Sequence, residues 1–201
     1  MHLFYSSEIL DNQVLLGPEE SRHLSKVLRL AAGASVVAVD GKGRWFECEV
    51  FEANAKGSLL SILKQEERSR DYLVEIACAP TKNLNRWEWF LEKATEIGID
   101  AIHPVISHHS ERKVLKRERQ LKILVSAMKQ SYKAKLPALS DMISVKEFLE
   151  QDFDGEKYIA HCYNELPKMK LKELHPKGKK ALILIGPEGD FSREEVEFAL
   201  G

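Results

Sequence analysis

Two kinds of hydrophobic periodicity divide this chain of 201 residues. Over about the first 70 residues, apolar positions alternate with polar ones or run in short blocks, which predicts strands. In "RWFECEVFE" (44–52), Phe46, Cys48 and Val50 fall on one face, while Glu47, Glu49 and Phe51 fall on the other. "VVAVD" (36–40) precedes it across Gly41-Lys42-Gly43, a spacer suited to a hairpin turn, and "SLLSIL" (58–63) predicts another strand. One short helix is expected at 19–30, with Leu24, Val27, Leu28 and Ala31 on its apolar stripe and Gly33 placed to end it. These are the parts of a small β-barrel carrying one helix.

The charged stretch "KQEERSRD" (64–71) has no hydrophobic pattern and reads as the boundary between a domain at 1–70 and another at 71–201. Beyond it, strands alternate with helices. "LVEIACAP" (73–80) is a continuous apolar run, as expected of a strand covered on both faces. A helix at 85–97 carries Trp87, Phe90, Leu91, Ala94 and Ile97 on one stripe and is stopped by Gly98; Trp89 faces outward, where a dimer partner could cover it. "DAIHPVIS" (100–107) is the next strand. A long helix follows, with Leu121, Leu124, Val125 and Met128 inward, ending before Pro137. Ser144-x-x-Glu147 forms a capping box for a short helix, and "KYIAHC" (157–162) and "ALILIG" (181–186) are the last strands. This order argues for an α/β domain built on a mostly parallel sheet.

Composition changes this picture little: 44% hydrophobic and 30% charged residues describe a soluble globular protein. No apolar run approaches the roughly 20 residues of a membrane helix, and "MHLFYSSEIL" lacks a signal peptide's basic start and apolar stretch, so no membrane contact and a cytoplasmic location are expected. Cys48, Cys78 and Cys162 are few and far apart and read as reduced, buried thiols, with no metal site. Net charge is −1, yet residues 110–136 hold nine Lys or Arg against two Glu, a local excess of seven. Such a strip suits a polyanion, although a solvated helix face produces the same pattern.

The most informative stretch is "LILIGPEGDFSREEVEFALG" (182–201). Four aliphatic residues run into a corner in which Gly186 and Gly189 permit close main-chain approach and Pro187 stiffens the turn. Ser192-x-x-Glu195 makes a second capping box, with Phe191 and Val196 at the staple positions. In open α/β sheets ligands sit at such carboxyl ends of strands. A plain strand-to-helix turn is the competing reading.

"IGPEGDFSREEVEFA" closely resembles the cofactor-loop motif of the RsmE-type ribosomal RNA uridine N3-methyltransferases of the SPOUT superfamily. That motif usually reads Gly-Pro-Glu-Gly-Gly, where this chain has Asp190 at the fifth place. "RHLSKVLRL" (22–30) resembles the family's His-x-x-x-Val-Leu-Arg signature, and "EKATEIGIDAIHPVIS" (92–107), "HSERK" (109–113) and "QSYKAKLP" (130–137) resemble further segments in family order. The resemblance implies a PUA-like β-barrel for RNA followed by a SPOUT-type parallel α/β methyltransferase domain. Its C-terminal trefoil knot would hold S-adenosylmethionine. It also implies a homodimer that methylates N3 of one uridine in 16S ribosomal RNA, free or in the small ribosomal subunit. The family continues past this helix into a strand and a Leu-Gly-x-x-(Ile/Val)-Leu-Arg-x-Glu-Thr-Ala motif not found before Gly201. The knot is therefore expected to be incomplete here, and cofactor binding by the chain as it stands weak.

On the matched positions, Leu184, Gly186, Pro187, Glu188 and Gly189 are the candidate cofactor residues, with His161 and Cys162 as a second wall. Glu188 could equally cap backbone N–H groups, and His161 could equally be a satisfied core histidine. Arg112 is the catalytic candidate, because a guanidinium beside the uracil carbonyls favours the deprotonated ring; a solvated cation on the strip is the competing reading. For RNA, the candidates are Arg22, His23, Lys26 and Arg29 on the first helix, and Lys113 and Lys133 on the basic strip. Trp45 and Phe46 could stack a base or fill the barrel core. A related SPOUT enzyme acting on transfer RNA and a catalytically silent RNA-binding module are the alternative functions.

Overall fold

A computed structural model describes residues 2–68, 70, 72–166 and 168–201. The chain forms two compact units, residues 1–69 with 125–136 and residues 70–124 with 137–201.

The first unit is a six-stranded sheet in the order β1-β4-β5-β6-β3-β2. Its strands are β1 (Leu3–Tyr5), β2 (Glu8–Leu10), β3 (Gln13–Leu15), β4 (Ser35–Val39), β5 (Arg44–Glu52) and β6 (Leu59–Glu67). β1 and β2 occupy opposite edges, which a flat sheet would hold roughly 24 Å apart. Only Ser6 and Ser7 join Tyr5 to Glu8, a link of at most about 11 Å, so the sheet has to curl. Among the described residues no ladder closes the two edges, and the expected barrel is an open half-barrel. Phe46, Cys48 and Val50 are buried on one face with Phe4, Leu24 and Leu60, as their alternation predicts. The opposite face buries Val37, Val39 and Trp45 against Met128 and Ala134. Trp45 and Phe46 therefore both belong to the core. Coverage on both faces explains the unbroken apolar run at 36–39, and the packing of Met128 and Ala134 is why 125–136 groups with this unit.

The fold departs from the sequence expectation at β6 and at the first helix. β6 runs on to Glu67, so the charged stretch begins inside a strand: Lys64–Glu67 pair with Glu47–Arg44 of β5. The continuation is solvated and carries no apolar alternation; Ser69 and Asp71, from the same stretch, lie outside the described residues. The first helix, α1, covers only Pro18–Arg22 and then widens into a π-helical turn, His23–Val27, in which Leu28 N–H donates to His23 O at 2.9 Å. The wider turn leaves Val27 65% exposed and Ala31 also exposed, where straight helical spacing placed both inward.

The second unit is a parallel sheet in the order β10-β8-β7-β12-β11, with a short β9 beside β8. The strands are β7 (Val74–Cys78), β8 (Ala101–Ile106), β9 (Ala138–Leu139), β10 (Ile143–Ser144), β11 (Glu156–Ala160) and β12 (Ala181–Ile185). Helix α2 (Leu84–Ile97) is capped by the Asn83 side chain, which accepts from Asn85 N–H, and ends at Gly98, whose φ of 99° suits glycine. α3 (Arg117–Gln130) starts in this unit, belongs to the first from Val125 on, and ends before Tyr132, which takes a left-handed φ of 52°. α4 (Val145–Leu149) carries the expected capping box, α5 (Leu171–Leu174) is a single turn, and α6 is Arg193–Leu200. Among the described residues no helix is long and apolar enough to cross a membrane.

Candidate functional site

Every pairing in the second sheet is parallel, so all its strands deliver their carboxyl ends to one edge. β7 is central, with β8 on one side and β12 on the other. The chain order reverses there, which makes it a switch point of the kind that binds ligands in open α/β sheets. Four segments gather at this edge: 79–83 after β7, 107–112 after β8, 161–163 after β11 and 186–192 after β12.

The corner after β12 is built around bare main chain. A Cβ on Gly186 would lie 3.1 Å from Phe191 N and 3.2 Å from Asp190 C, and one on Gly189 would lie 3.1 Å from His109 Cβ. Asp190 N–H donates to Pro187 O at 3.0 Å and closes the turn. α6 then starts as its sequence predicts. Ser192 Oγ accepts from Glu195 N–H at 3.2 Å, Glu195 Oε2 accepts from Ser192 N–H at 2.8 Å, and Phe191 and Val196 are buried together. The capping glutamate also reaches beyond its own helix. Its Oε1 accepts from His108 N–H at 2.9 Å, tying the segment after β8 to the helix start.

Glu188 joins the two sides of the switch point, its Oε1 accepting from Lys82 N–H at 3.2 Å. Arg112 holds the same segment, donating from Nε to Thr81 O at 3.1 Å and from Nη2 to Lys82 O at 2.5 Å. Lys82 Nζ pairs with Glu111 at 2.8 Å, which raises its pKa, and the Glu188 charge acts in the same direction. Beneath them, burial and then the Glu188 charge push the Cys78 thiol up to about 12. Arg112 and Glu188, assigned separately from sequence, thus clamp one stretch of backbone from opposite sides.

Leu184 and His161 line a cavity of about 510 Å³ with Ala160, Leu174, Ala199 and Leu200. Leu184 is fully buried, and His161 Nδ1 is a buried atom with no hydrogen-bond partner among the described residues. Cys162 is exposed rather than buried, because it lies past the end of β11. Seven predicted cofactor residues therefore lie around one edge of one sheet. Sequence reasoning missed two neighbours. His109 Nδ1–H donates to Asp190 O at 3.2 Å, and Asp190 itself, at φ 62°, binds Cys162 N–H. A residue other than glycine within so tight a turn was the available signal.

The RNA candidates are divided between the units. Arg22, His23, Lys26 and Arg29 are exposed around the π-helical turn of the first unit, and Arg29 takes a left-handed φ of 54°. Lys133 is half-buried in that unit, while Lys113 is exposed in the second, beside Arg112 and Val114. Several cations of the basic strip are engaged: Arg117 with Asp141, Arg119 with Glu88 and Lys129 with Glu20.

A family model described as an RNA methyltransferase domain matches residues 68–201, and one described as an RNA methyltransferase PUA domain matches residues 16–63. Ribosomal RNA small subunit methyltransferase E of Bacillus subtilis (strain 168) is 30% identical over 194 residues, covering 89% of this chain and 75% of that protein. The crystal structure of a probable rRNA-methyltransferase from Porphyromonas gingivalis is 36% identical with a TM-score of 0.88, over 100% of this chain and 85% of that one. A ribosomal RNA small subunit methyltransferase E from Neisseria gonorrhoeae, bound to S-adenosyl methionine, shares the fold at a TM-score of 0.84 and 24% identity, over 100% of this chain and 85% of that one.

Proposed function

Because the chain belongs to the RNA methyltransferase family, of the ribosomal RNA small subunit methyltransferase E type, we propose that it methylates N3 of one uridine in 16S ribosomal RNA with S-adenosylmethionine as donor. The observation that carries this reading is the glycine-walled corner after β12, joined to the end of β7 across the switch point. The residues present fit the cofactor. Gly186 lets the turn close tightly on its own backbone, and beside it Leu184 and His161 line a cavity of ligand size with mostly aliphatic walls, the His161 Nδ1 lying buried without a partner among the described residues. Leu184, Gly186, Pro187, Glu188 and Gly189 would hold the donor from one side, and His161 and Cys162 from the other. When bound, S-adenosylmethionine supplies an electrophilic methyl group.

Uridine N3 carries a proton at neutral pH and lies on the Watson–Crick edge, so the base has to leave any pairing before it reacts. Arg112 is suited to favour loss of that proton. Two of its nitrogens are fixed on the carbonyls of Thr81 and Lys82, and among the described residues Nη1 makes no hydrogen bond. A guanidinium held this way meets the uracil carbonyls already oriented and stabilises the negative charge that deprotonation leaves on the ring. Arg22, His23, Lys26 and Arg29 serve the RNA backbone, joined by Lys113 and Lys133. The protein acts in the cytoplasm as a homodimer. Trp89, 62% exposed on α2, supports a partner surface; Ile97, expected on the inward stripe, is 73% exposed at the helix end, on a different side from Trp89.

Nucleoside mass spectrometry of 16S ribosomal RNA from a deletion strain tests the assignment. N3-methyluridine disappears and returns on complementation; its persistence at full level in the deletion strain overturns the reading. Static light scattering on the purified protein reports a dimer, which Trp89→Glu dissociates.

A further inference from the structure

We propose that Asp190 is a positioning residue for the cofactor: its carboxylate clasps the chain leaving β11 to the turn leaving β12, and so sets how tightly the corner takes its ligand. The inference rests on the cofactor reading above and deepens it.

The backbone at Asp190 has a φ of 62°, which glycine adopts freely and aspartate only at some cost. What glycine lacks is an acceptor. Asp190 Oδ2 accepts from Cys162 N–H at 2.7 Å, and Oδ1 accepts from Phe191 N–H at 2.8 Å. Both are charge-assisted, which makes them stronger than bonds between neutral groups. The ladder between β11 and β12 ends at the pair Ala160 and Ile185, so beyond it the strands no longer hold their loops together. The carboxylate carries the connection past that end, across 28 residues of sequence. Tyr163 reinforces it by donating its hydroxyl to Phe191 O at 3.0 Å; burial raises its pKa, Asp190 adds to the effect, and the group remains a donor. The main chain of Asp190 also closes the turn onto Pro187 and receives His109 Nδ1–H from the segment after β8.

Three of the four segments at the site therefore meet at one residue. A ligand entering here finds residues 161–163 already ordered against 186–191. Without the clasp, that ordering would be charged to binding, and affinity would fall.

Asp190→Asn tests the carboxylate alone, since asparagine is at ease in the left-handed region and has the same size, but offers one acceptor where two N–H groups need one each. The reporter is Cys162. It is the exposed thiol, whereas Cys48 and Cys78 are buried with thiols pushed up to about 12 and do not react at neutral pH. In the full-length protein, D190N is expected to raise the rate of Cys162 alkylation by iodoacetamide several-fold. It should weaken S-adenosylmethionine binding by about tenfold in calorimetry, as loss of a charge-assisted contact implies. The KM for the donor should rise in step and the KM for RNA stay constant, a split that general destabilisation does not give. Should D190N fold poorly, Asp190→Gly supplies the unstrained turn without the carboxylate and should show the same weakening at an unreduced melting temperature. Wild-type alkylation rate and donor affinity in both variants overturn the inference and leave the cofactor reading intact. A wild-type protein that takes up no S-adenosylmethionine overturns the cofactor reading and this inference with it.

Discussion

A methyl group added to Gly186 and one added to Gly189 would meet different kinds of neighbour. At Gly186 the contacts at 3.1 and 3.2 Å are backbone atoms of the turn itself, which can yield only by opening it. At Gly189 the nearest atom is the Cβ of His109, an exposed side chain rather than backbone of the turn, which needs to give by only a few tenths of an ångström while keeping its hydrogen bond to Asp190 O. Gly186→Ala is therefore expected to lower stability by about 1–3 kcal/mol and to weaken donor binding, as overpacking does. Gly189→Ala should fall within about 0.5 kcal/mol of wild type; urea denaturation and calorimetry compare the two. Arg112 answers to similar reasoning. Lysine brings one charged nitrogen where arginine spends two on Thr81 and Lys82 and presents a third, so the charge would survive and its orientation would not. Arg112→Lys should reduce the methylation rate at saturating donor by about 10²-fold, the scale of one lost electrostatic stabiliser, with little change in melting temperature.

Among the elements, α6 is the one its own sequence specifies most completely. Ser192-x-x-Glu195 and the Phe191–Val196 staple are local signals, and both appear in the fold as written. Ser192→Ala should cost about 1 kcal/mol, the usual value of a lost N-cap. Glu195→Ala should cost more, because it also releases His108 N–H, and hydrogen exchange at that amide would quicken only in the second variant. The same contrast between local and distant determinants explains what could be read from the chain. α2, α4 and α6 and the buried strands were legible because cap, period and burial lie within about fifteen residues. The end of β6 was not, since a strand solvated on both faces has no pattern to leave. The π-helical turn at 23–27 was hidden because its helical spacing matched an ordinary helix, and only packing of Leu24 and Leu28 against the half-barrel shows where the turn widens. The corner at 186–190 declared itself through its glycines, while the clasp at Asp190 depends on two parallel strands being brought side by side, so that residues 28 apart in sequence meet beyond their ends.

At the scale of the whole molecule, a net charge of −1 means that attraction for a polyanion has to be local. Part of the basic strip is already neutralised by Asp141, Glu88 and Glu20, so its excess of charge overstates what it can offer a phosphate. Around the π-helical turn, Arg22, Lys26 and Arg29 stand exposed beside the exposed Val27, and Arg29 holds a left-handed angle that a glycine would take without strain. Backbone strain of this kind accumulates at functional surfaces, and phosphate contact would give it a use. If Arg22 and Lys26 each neutralise one phosphate of unpaired RNA, replacing both with alanine should reduce the slope of log K against log salt by about 1.4. Arg29→Gly should reduce it by about 0.7 while raising stability by up to about 1 kcal/mol, because the strain is relieved as the contact is lost. These residues lie in the first unit and the glycine corner in the second, so donor affinity should stay at its wild-type value in all of these variants. Donor binding that weakened in parallel with RNA binding would mean that the two units do not divide the work, and the assignment of backbone recognition to the half-barrel would then have to be withdrawn.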